Sequence, residues 1–151
     1  MMKKMLEIYL RGNELFFSAS SLSTVGCFVG SYPHLKTPDN ISREEKGKLI
    51  IKVLTESPEY IEHPKNEEEW KAVGAPLLKL AGVKSWRAFE KGVISCHVYL
   101  EGDKLRFIPY VNKCSKKEGF ISLDDKAITI PADASLETIG ETLDKTLALS
   151  S

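Results

Sequence analysis

The segment from residue 93 to residue 131 constrains the fold of this chain more than any other. Apolar residues occupy every second position of its first part, which is the period of a strand with one buried face: Ile94, Cys96, Val98 and Leu100. Gly102-Asp103 then fits a two-residue hairpin turn, and residues 105–111 return beside the first strand. After a polar loop, residues 127–130 supply a third short strand. The segment predicts a packed sheet, and its residues do not indicate any particular reaction.

The composition is that of a globular domain without a charge excess. The chain has 151 residues, of which 42% are hydrophobic and 28% charged, so we predict one α+β domain over residues 1–151. Lys+Arg and Asp+Glu are both 21, and the formal net charge is zero. This balance argues against a general nucleic-acid binder. No stretch approaches the roughly 20 apolar residues that span a bilayer, so we expect no membrane partner.

The N-terminal part predicts a second hairpin. The chain is expected to start as a strand from Met1 rather than as a signal peptide, because Glu7 and Arg11 interrupt any apolar run. Gly12-Asn13 fits a turn, and residues 14–19 return with Leu15 and Phe17 on one face.

The segments that follow this hairpin look less regular. Residues 18–24 are rich in serine and read as a loop. Residues 25–29 suggest a short strand. Residues 32–40 contain Pro33 and Pro38 and are predicted to be an irregular connection.

Local signals predict three helices near residues 42–56, 67–80 and 135–149. Ser42 and Glu45 form a capping box at the first. Gly74 and Pro76 predict a kink in the second or its division into two short helices, and Gly82 predicts its end. Residues 85–89 fit one further helical turn. The last helix has an apolar stripe at helical spacing: Leu136, Ile139, Leu143 and Leu147. We therefore expect an α+β fold, with helices packed on a twisted, mostly antiparallel sheet built from hairpins.

Residues 56–69 carry the one local charge bias. Lys65 is their only fixed positive charge, and aromatic residues are interleaved with the acids. One interpretation is a solvated connection that leads into an acidic first helical turn, which the helix dipole favours. The other is an acidic patch with aromatic anchors for a basic partner. Asp124-Asp125 is a second, shorter acidic pair.

The residue types that carry chemistry are present without a recognisable arrangement. Cys96 and His97 are neighbours in a strand and point to opposite faces, and neither Cys27 nor Cys114 supplies a metal-ligand spacing. We expect no structural zinc and no cofactor, and the odd cysteine number fits a reduced, cytoplasmic setting. The enzymatic alternative is a small cofactor-free hydrolase or nuclease that uses Asp124, Asp125 or His97. A third is a structural subunit of a larger assembly.

The second half of the chain carries a family resemblance. Its elements are K-S-W-x-x-F at residues 84–89, F-x-P-Y at residues 107–110, Gly119-Phe120, the strand at residues 127–131 and the closing helix. This arrangement resembles one family of immunity proteins from bacterial contact-dependent growth inhibition (CDI) systems.

The resemblance implies a cytoplasmic protein, not an enzyme, that binds the toxin C-terminal domain delivered by a neighbouring cell and blocks it. Such toxins are commonly nucleases. Immunity proteins often carry acidic surfaces toward basic nucleases, whereas this chain is neutral overall, so any electrostatic steering has to be local. The expected toxin-binding candidates are Glu56, Glu59, Tyr60, Glu62, Glu67, Glu68, Glu69, Asp124 and Asp125. The oligomeric state is left open.

Overall fold

The computed structural model describes residues 3–115 and 117–151. The strands of the described chain are β1 Lys3–Arg11, β2 Glu14–Ser23, β3 Phe28–Pro38, β4 Tyr60–Ile61, β5 Ile94–Glu101, β6 Lys104–Asn112, β7 Phe120–Ser122 and β8 Ile128–Pro131. The helices are α1 Arg43–Glu56, α2 Glu67–Ala81, α3 Trp86–Glu90 and α4 Leu136–Leu149, and a short 3-10 turn covers Asp124–Lys126. The predicted start of the first strand, at Met1 and Met2, lies outside the described residues.

The strands form one mostly antiparallel sheet in the order β3-β2-β1-β5-β6-β7. β4 pairs in parallel with the end of β2, and β8 lies antiparallel to β6. Gly12 and Gly102 take the positive φ angles of 62° and 60° that the two predicted hairpin turns need. The predicted α+β class and the sheet built from hairpins are therefore confirmed.

One face of the sheet forms the main core beneath α1 and α4. The strand residues of this core alternate with residues of the other face, as predicted: Leu6, Ile8, Leu15, Phe17, Cys96, Val98, Leu105 and Phe107. Ile139 and Leu143 of the predicted stripe are buried against them, and Leu147 packs at the margin of the same cluster. The burial follows from the two-residue period of the strands and the helical period of α4.

Helices α1 and α4 approach each other at two glycines. A Cβ atom on Gly47 would overlap the carbonyl group of Leu136, and one on Gly140 would overlap the carbonyl group of Arg43. Lys46 Nζ also lies 2.8 Å from Asp144 Oδ1 across the helix pair. The two helices can therefore pack this closely only because glycine has no side chain at these two positions.

The other face of the sheet carries α2 and α3. Tyr9, Phe16, Leu77, Phe89 and Val93 form a second buried cluster there.

Helix α2 is continuous from residue 67 to residue 81, so the predicted alternative of two short helices is wrong. Pro76 is tolerated because the helix is exposed at this point, where water can bind the carbonyl group that loses its N–H partner. Gly82 ends the helix in the left-handed conformation, as predicted, with φ 73°.

Two predicted loops are strands instead. β2 continues to Ser23, and its buried serines find partners: Ser18 Oγ lies 2.8 Å from His34 Nδ1, and Ser23 Oγ lies 3.0 Å from His63 Nδ1. β3 runs through both prolines, at the end of the strand order, with an irregular register against β2. Edge strands and bulges are the places where a sheet accepts proline.

The short strand predicted at residues 25–29 begins only at Phe28, as the start of β3. In the described part of the chain, no helix has the length and apolar character needed to cross a membrane.

Candidate functional site

The acidic segment forms an exposed surface between α1 and α2. We call it the acidic band, and every member is exposed: Glu56, Glu59, Tyr60, Glu62, Glu67, Glu68, Glu69 and Trp70. Tyr60 is 61% exposed and Trp70 is 47% exposed. Tyr60 and Ile61 are fixed to the sheet as β4, opposite Leu22 and Ser23. Trp70 lies outside both buried clusters, on the exposed surface of α2.

Only part of the charge on this band is balanced. Glu56 pairs with Lys52 at 2.7 Å, and Glu67 pairs with Lys71 at 3.8 Å. Exposed pairs of this kind contribute little stability. Among the described residues, the remaining glutamates form no ion pair: Glu59, Glu62, Glu68 and Glu69.

The helix-capping interpretation of this segment is also observed. Asn66 Oδ1 accepts a hydrogen bond of 2.9 Å from the Glu69 N–H at the start of α2, and three glutamates occupy the first turn. The two interpretations do not exclude each other, because capping leaves the carboxylates in solvent.

A groove of about 330 Å³ runs beside the acidic band, between α2 and β3. Glu62 and Glu69 line it together with Tyr32, which is 61% exposed. Sequence reasoning missed Tyr32 because Pro33 made its surroundings look irregular. Only the tertiary structure brings this second exposed tyrosine to the acidic band.

Asp124 and Asp125 lie elsewhere. Both are exposed on the 3-10 turn after β7, and Asp124 Oδ2 accepts a hydrogen bond of 3.2 Å from Ser122 Oγ. β7, which precedes this turn, is the last strand at one end of the sheet order. The acidic band is attached near the other end, where β4 pairs with β2, and β1, β5 and β6 lie between β2 and β7. The two acidic segments therefore belong to separate surfaces.

A cavity of about 500 Å³ opens on the α3 face of the sheet. We call it the polar cleft, and it is lined by Glu7, Tyr9, Trp86, Glu90, Ser95, His97, Tyr110 and Phe120. Glu7 of β1 is directly opposite His97 of β5, which puts both side chains on the same face. Cys96, one residue earlier, is fully buried in the core beneath α1 and α4. The predicted separation of Cys96 from His97 is thus confirmed.

Burial shapes the electrostatics of the polar cleft. Desolvation lowers the pKa of His97, so its imidazole is neutral at pH 7, and its buried Nδ1 has no hydrogen-bond partner in the described chain. The pKa of Glu90 is raised by burial and, secondarily, by the charge of Glu7. The Tyr9 hydroxyl donates a hydrogen bond to Glu7 Oε2. The pKa of Tyr9 is raised by burial first and by Glu7 second.

The residues of the enzymatic alternative are not brought together. His97 lines the polar cleft, whereas Asp124 and Asp125 are absent from its lining. Burial raises the pKa of the Cys96 thiol, the opposite of what a nucleophilic thiolate needs.

The described chain does contain two hydroxyl–imidazole pairs, Ser18 with His34 and Ser23 with His63. However, both serines are buried, with 6% and 0% exposure, and His34 Nε2 has no partner among the described residues that would orient its ring.

The candidate metal ligands also lie apart. Cys27 and Cys114 are exposed, Cys96 is in the core, and His97 faces the polar cleft. Residues 3–115 and 117–151 contain no group of three or more His, Cys, Asp or Glu side chains that could hold a metal ion.

The chain is thus a small α+β protein whose surface presents exposed acids and aromatic rings. Charged and aromatic side chains of this kind are suited to binding another protein. Two solved structures have the same fold. One is a protein of unknown function from Neisseria meningitidis, with 19% identity, a TM-score of 0.79 and coverage of 99% of this chain and 96% of that chain. The other is a chain of the CdiA-CT/CdiI toxin and immunity complex from Yersinia pseudotuberculosis, with 14% identity, a TM-score of 0.77 and coverage of 100% and 99%.

The family model described as CDI immunity protein matches residues 6–150, so this chain belongs to the CDI immunity protein family. The match includes the N-terminal half, where the sequence itself carried no resemblance. No curated protein matches the chain at a significant level. The predicted family is therefore confirmed, and with it a cognate CDI toxin as the partner.

Proposed function

We propose that this chain neutralises the C-terminal domain of its cognate CDI toxin by occupying it in the cytoplasm, without itself catalysing a reaction. The observation that carries the proposal is the family match over nearly the whole chain, residues 6–150. The fold it shares with a chain of a toxin and immunity complex supports the same conclusion.

The acidic band is the proposed toxin-binding surface. A toxin that cleaves nucleic acid needs positive charge where it grips phosphates, and exposed carboxylates on its inhibitor would speed association and compete for that site. Tyr32, Tyr60 and Trp70 add large, exposed rings that bury area at a small entropic cost. The neutral total charge is no obstacle, because screening makes nearby charges dominate the encounter.

The test is the double variant Glu59→Lys plus Glu62→Lys. Both side chains are exposed and make no ion pair in the described chain, so the fold should be unchanged. We expect association with the cognate toxin domain to slow by about tenfold at low salt, and by less at high salt. Stopped-flow or surface-based kinetics at two salt concentrations would measure this.

Asp124→Lys plus Asp125→Lys is the matched control, because it makes the same change in net charge on a separate surface, which is also the second predicted toxin-binding candidate. An equal effect of both double variants would show that the acidic band has no special part in binding, and a loss confined to the Asp124/Asp125 variant would move the interface to that surface. An unchanged association rate for the Glu59/Glu62 variant would remove the acidic band from the interface. If the wild-type chain does not bind the toxin domain at all, the proposed function itself is wrong.

A further inference from the structure

We propose that the polar cleft is a second contact site, which receives an arginine or lysine side chain of the bound toxin. This inference rests on the proposed function, but it concerns a different surface from the acidic band. None of the toxin-binding candidates predicted from the sequence lines this cavity.

Within the part of the chain that the structure describes, the carboxylates of the cleft are not paired with a cation. Glu7 and Glu90 are both partly buried, and neither forms an ion pair with a described lysine or arginine. Their mutual repulsion contributes to the raised pKa of Glu90. A positive charge placed between them would favour the ionised form of both, whereas a second anion would add to the repulsion. The charge of the cleft therefore selects a cationic group.

The other walls suit a cation on an alkyl stem. Tyr9, Trp86, Tyr110 and Phe120 supply aromatic rings, whose faces attract ammonium and guanidinium groups. Two of these rings pack edge-on against Phe89, with centroid distances of 5.0 Å for Tyr9 and 5.6 Å for Trp86. The cleft is thus present in the free chain, which lowers the entropic cost of binding.

His97 adds a polar group that no described residue satisfies. Its ring is stacked near Tyr110, with a centroid distance of 4.1 Å, and its Nδ1 is buried without a partner. In the neutral tautomer that carries its proton on Nε2, Nδ1 accepts a hydrogen bond. Because Nδ1 is closed to solvent in the free chain, an entering N–H donor reaches it only when the His97 ring turns toward the cleft, and a planar guanidinium can then bind it while another of its N–H groups binds a carboxylate.

The cleft also has room for a long side chain. It shares Trp86, Glu90 and Phe120 with a neighbouring cavity of about 760 Å³. Arg87 and Lys91 line that neighbouring cavity and not the cleft, so these two cations do not occupy the lining of the cleft.

The test compares Glu7→Gln and Glu90→Gln with Glu137→Gln. Glutamine keeps the shape of glutamate and removes its charge, and Glu137 is an exposed acid in the first turn of α4, on the other face of the sheet. We expect each cleft variant to raise the Kd for the toxin domain by about tenfold or more, mainly through faster dissociation. Glu137→Gln should leave the Kd within about twofold of wild type.

A second variant covers the case in which a glutamine variant does not fold. Trp86→Leu alters a cleft wall and keeps an apolar side chain against Phe89, and since Trp86 is 41% exposed the change removes less burial than a core substitution would; it should also raise the Kd. Wild-type Kd values for the variants that fold would overturn the cleft inference and leave the proposed function in place. An equal loss in Glu137→Gln would overturn it as well. Failure of the wild-type chain to bind the toxin domain would instead overturn the proposed function.

Discussion

Neighbouring residues of one strand meet opposite conditions in this protein. Cys96 is fully buried beneath α1 and α4, and burial raises the pKa of its thiol. His97 turns toward the polar cleft, where burial keeps its imidazole neutral. Successive side chains of a strand point to opposite faces of the sheet, and this alone accounts for the difference. The sequence was therefore sufficient to predict that the two side chains lie on opposite faces.

The same alternation makes a quantitative prediction for Phe107. Its side chain is fully buried in the core between the sheet and α4, so Phe107→Ala should lower the free energy of unfolding by about 3–5 kcal/mol. Arg106→Ala, at the adjacent and partly exposed position, is the matched control and should change it by less than about 1 kcal/mol. Urea denaturation followed by circular dichroism would measure both. A loss below about 1 kcal/mol for Phe107→Ala would contradict this burial.

Residue pairs far apart in the sequence were beyond prediction. Lys4 donates two hydrogen bonds of 2.8 Å to the carbonyl groups of Leu54 and Ser57, which lie 50 and 53 positions away. These carbonyl groups belong to the C-terminal end of α1, where a positive charge is favourable. A single sequence shows that Lys4 is charged, but it does not show which helix end the side chain will reach.

Among the elements, those with local end signals were predicted well. The Glu45 N–H donates to Ser42 Oγ at 3.1 Å, as the capping motif requires, and Gly82 ends α2. The end of β2 and most of β3 were missed, because a serine-rich run is typical of loops and proline is depleted in strands. The buried hydroxyl–histidine pairs and the irregular register at the sheet edge outweigh that tendency here.

The contact between α1 and α4 predicts unequal effects for substitutions of helical glycines. Alanine favours a helix by about 1 kcal/mol over glycine, but at Gly47 and Gly140 it would press on backbone carbonyl groups that cannot move freely. We expect Gly47→Ala and Gly140→Ala to lower the Tm by several degrees, because overpacking costs about 1–3 kcal/mol.

Gly74→Ala is the comparison for this prediction. The three atoms nearest to its Cβ would belong to the ring of Trp86, with Nε1 at 2.6 Å, and a partly exposed side chain is easier to displace than a backbone carbonyl group. Its Tm should therefore fall less than that of the other two variants. Calorimetry of the three variants would decide, and a raised Tm for Gly47→Ala or Gly140→Ala would refute the close approach of the helices.

At the scale of the whole molecule, the two faces of the sheet differ in what covers them. α1 and α4 cover one face and form the main core, while the other face carries the second cluster and the polar cleft. The sequence predicted the acidic band because its residues are contiguous. It could not predict the cleft, whose residues come from β1, α3, β5, β6 and β7 and meet only in the folded sheet.

The proposed mode of action also predicts a stoichiometry. An inhibitor that occupies its toxin must be present in equal amount, so residual toxin activity should fall linearly with added chain and vanish near equimolar concentrations. The toxin concentration in this titration should be well above the Kd, and the measurement is the toxin's own activity, which for a nuclease is cleavage of a nucleic-acid substrate. A chain that destroyed its toxin catalytically would act below equimolar amounts and progressively with time.

The double variant Asp124→Asn plus Asp125→Asn serves as the control, because it removes two residues of the enzymatic alternative without touching the acidic band or the polar cleft. Its titration should end at the same equimolar point as the wild type. The toxin should also regain full activity once the complex is separated in denaturant and the toxin is refolded. The proposed mode of action would be wrong if inhibition occurred below equimolar amounts, grew with incubation time and was lost in the double variant. That result would show that the chain inactivates its toxin as an enzyme.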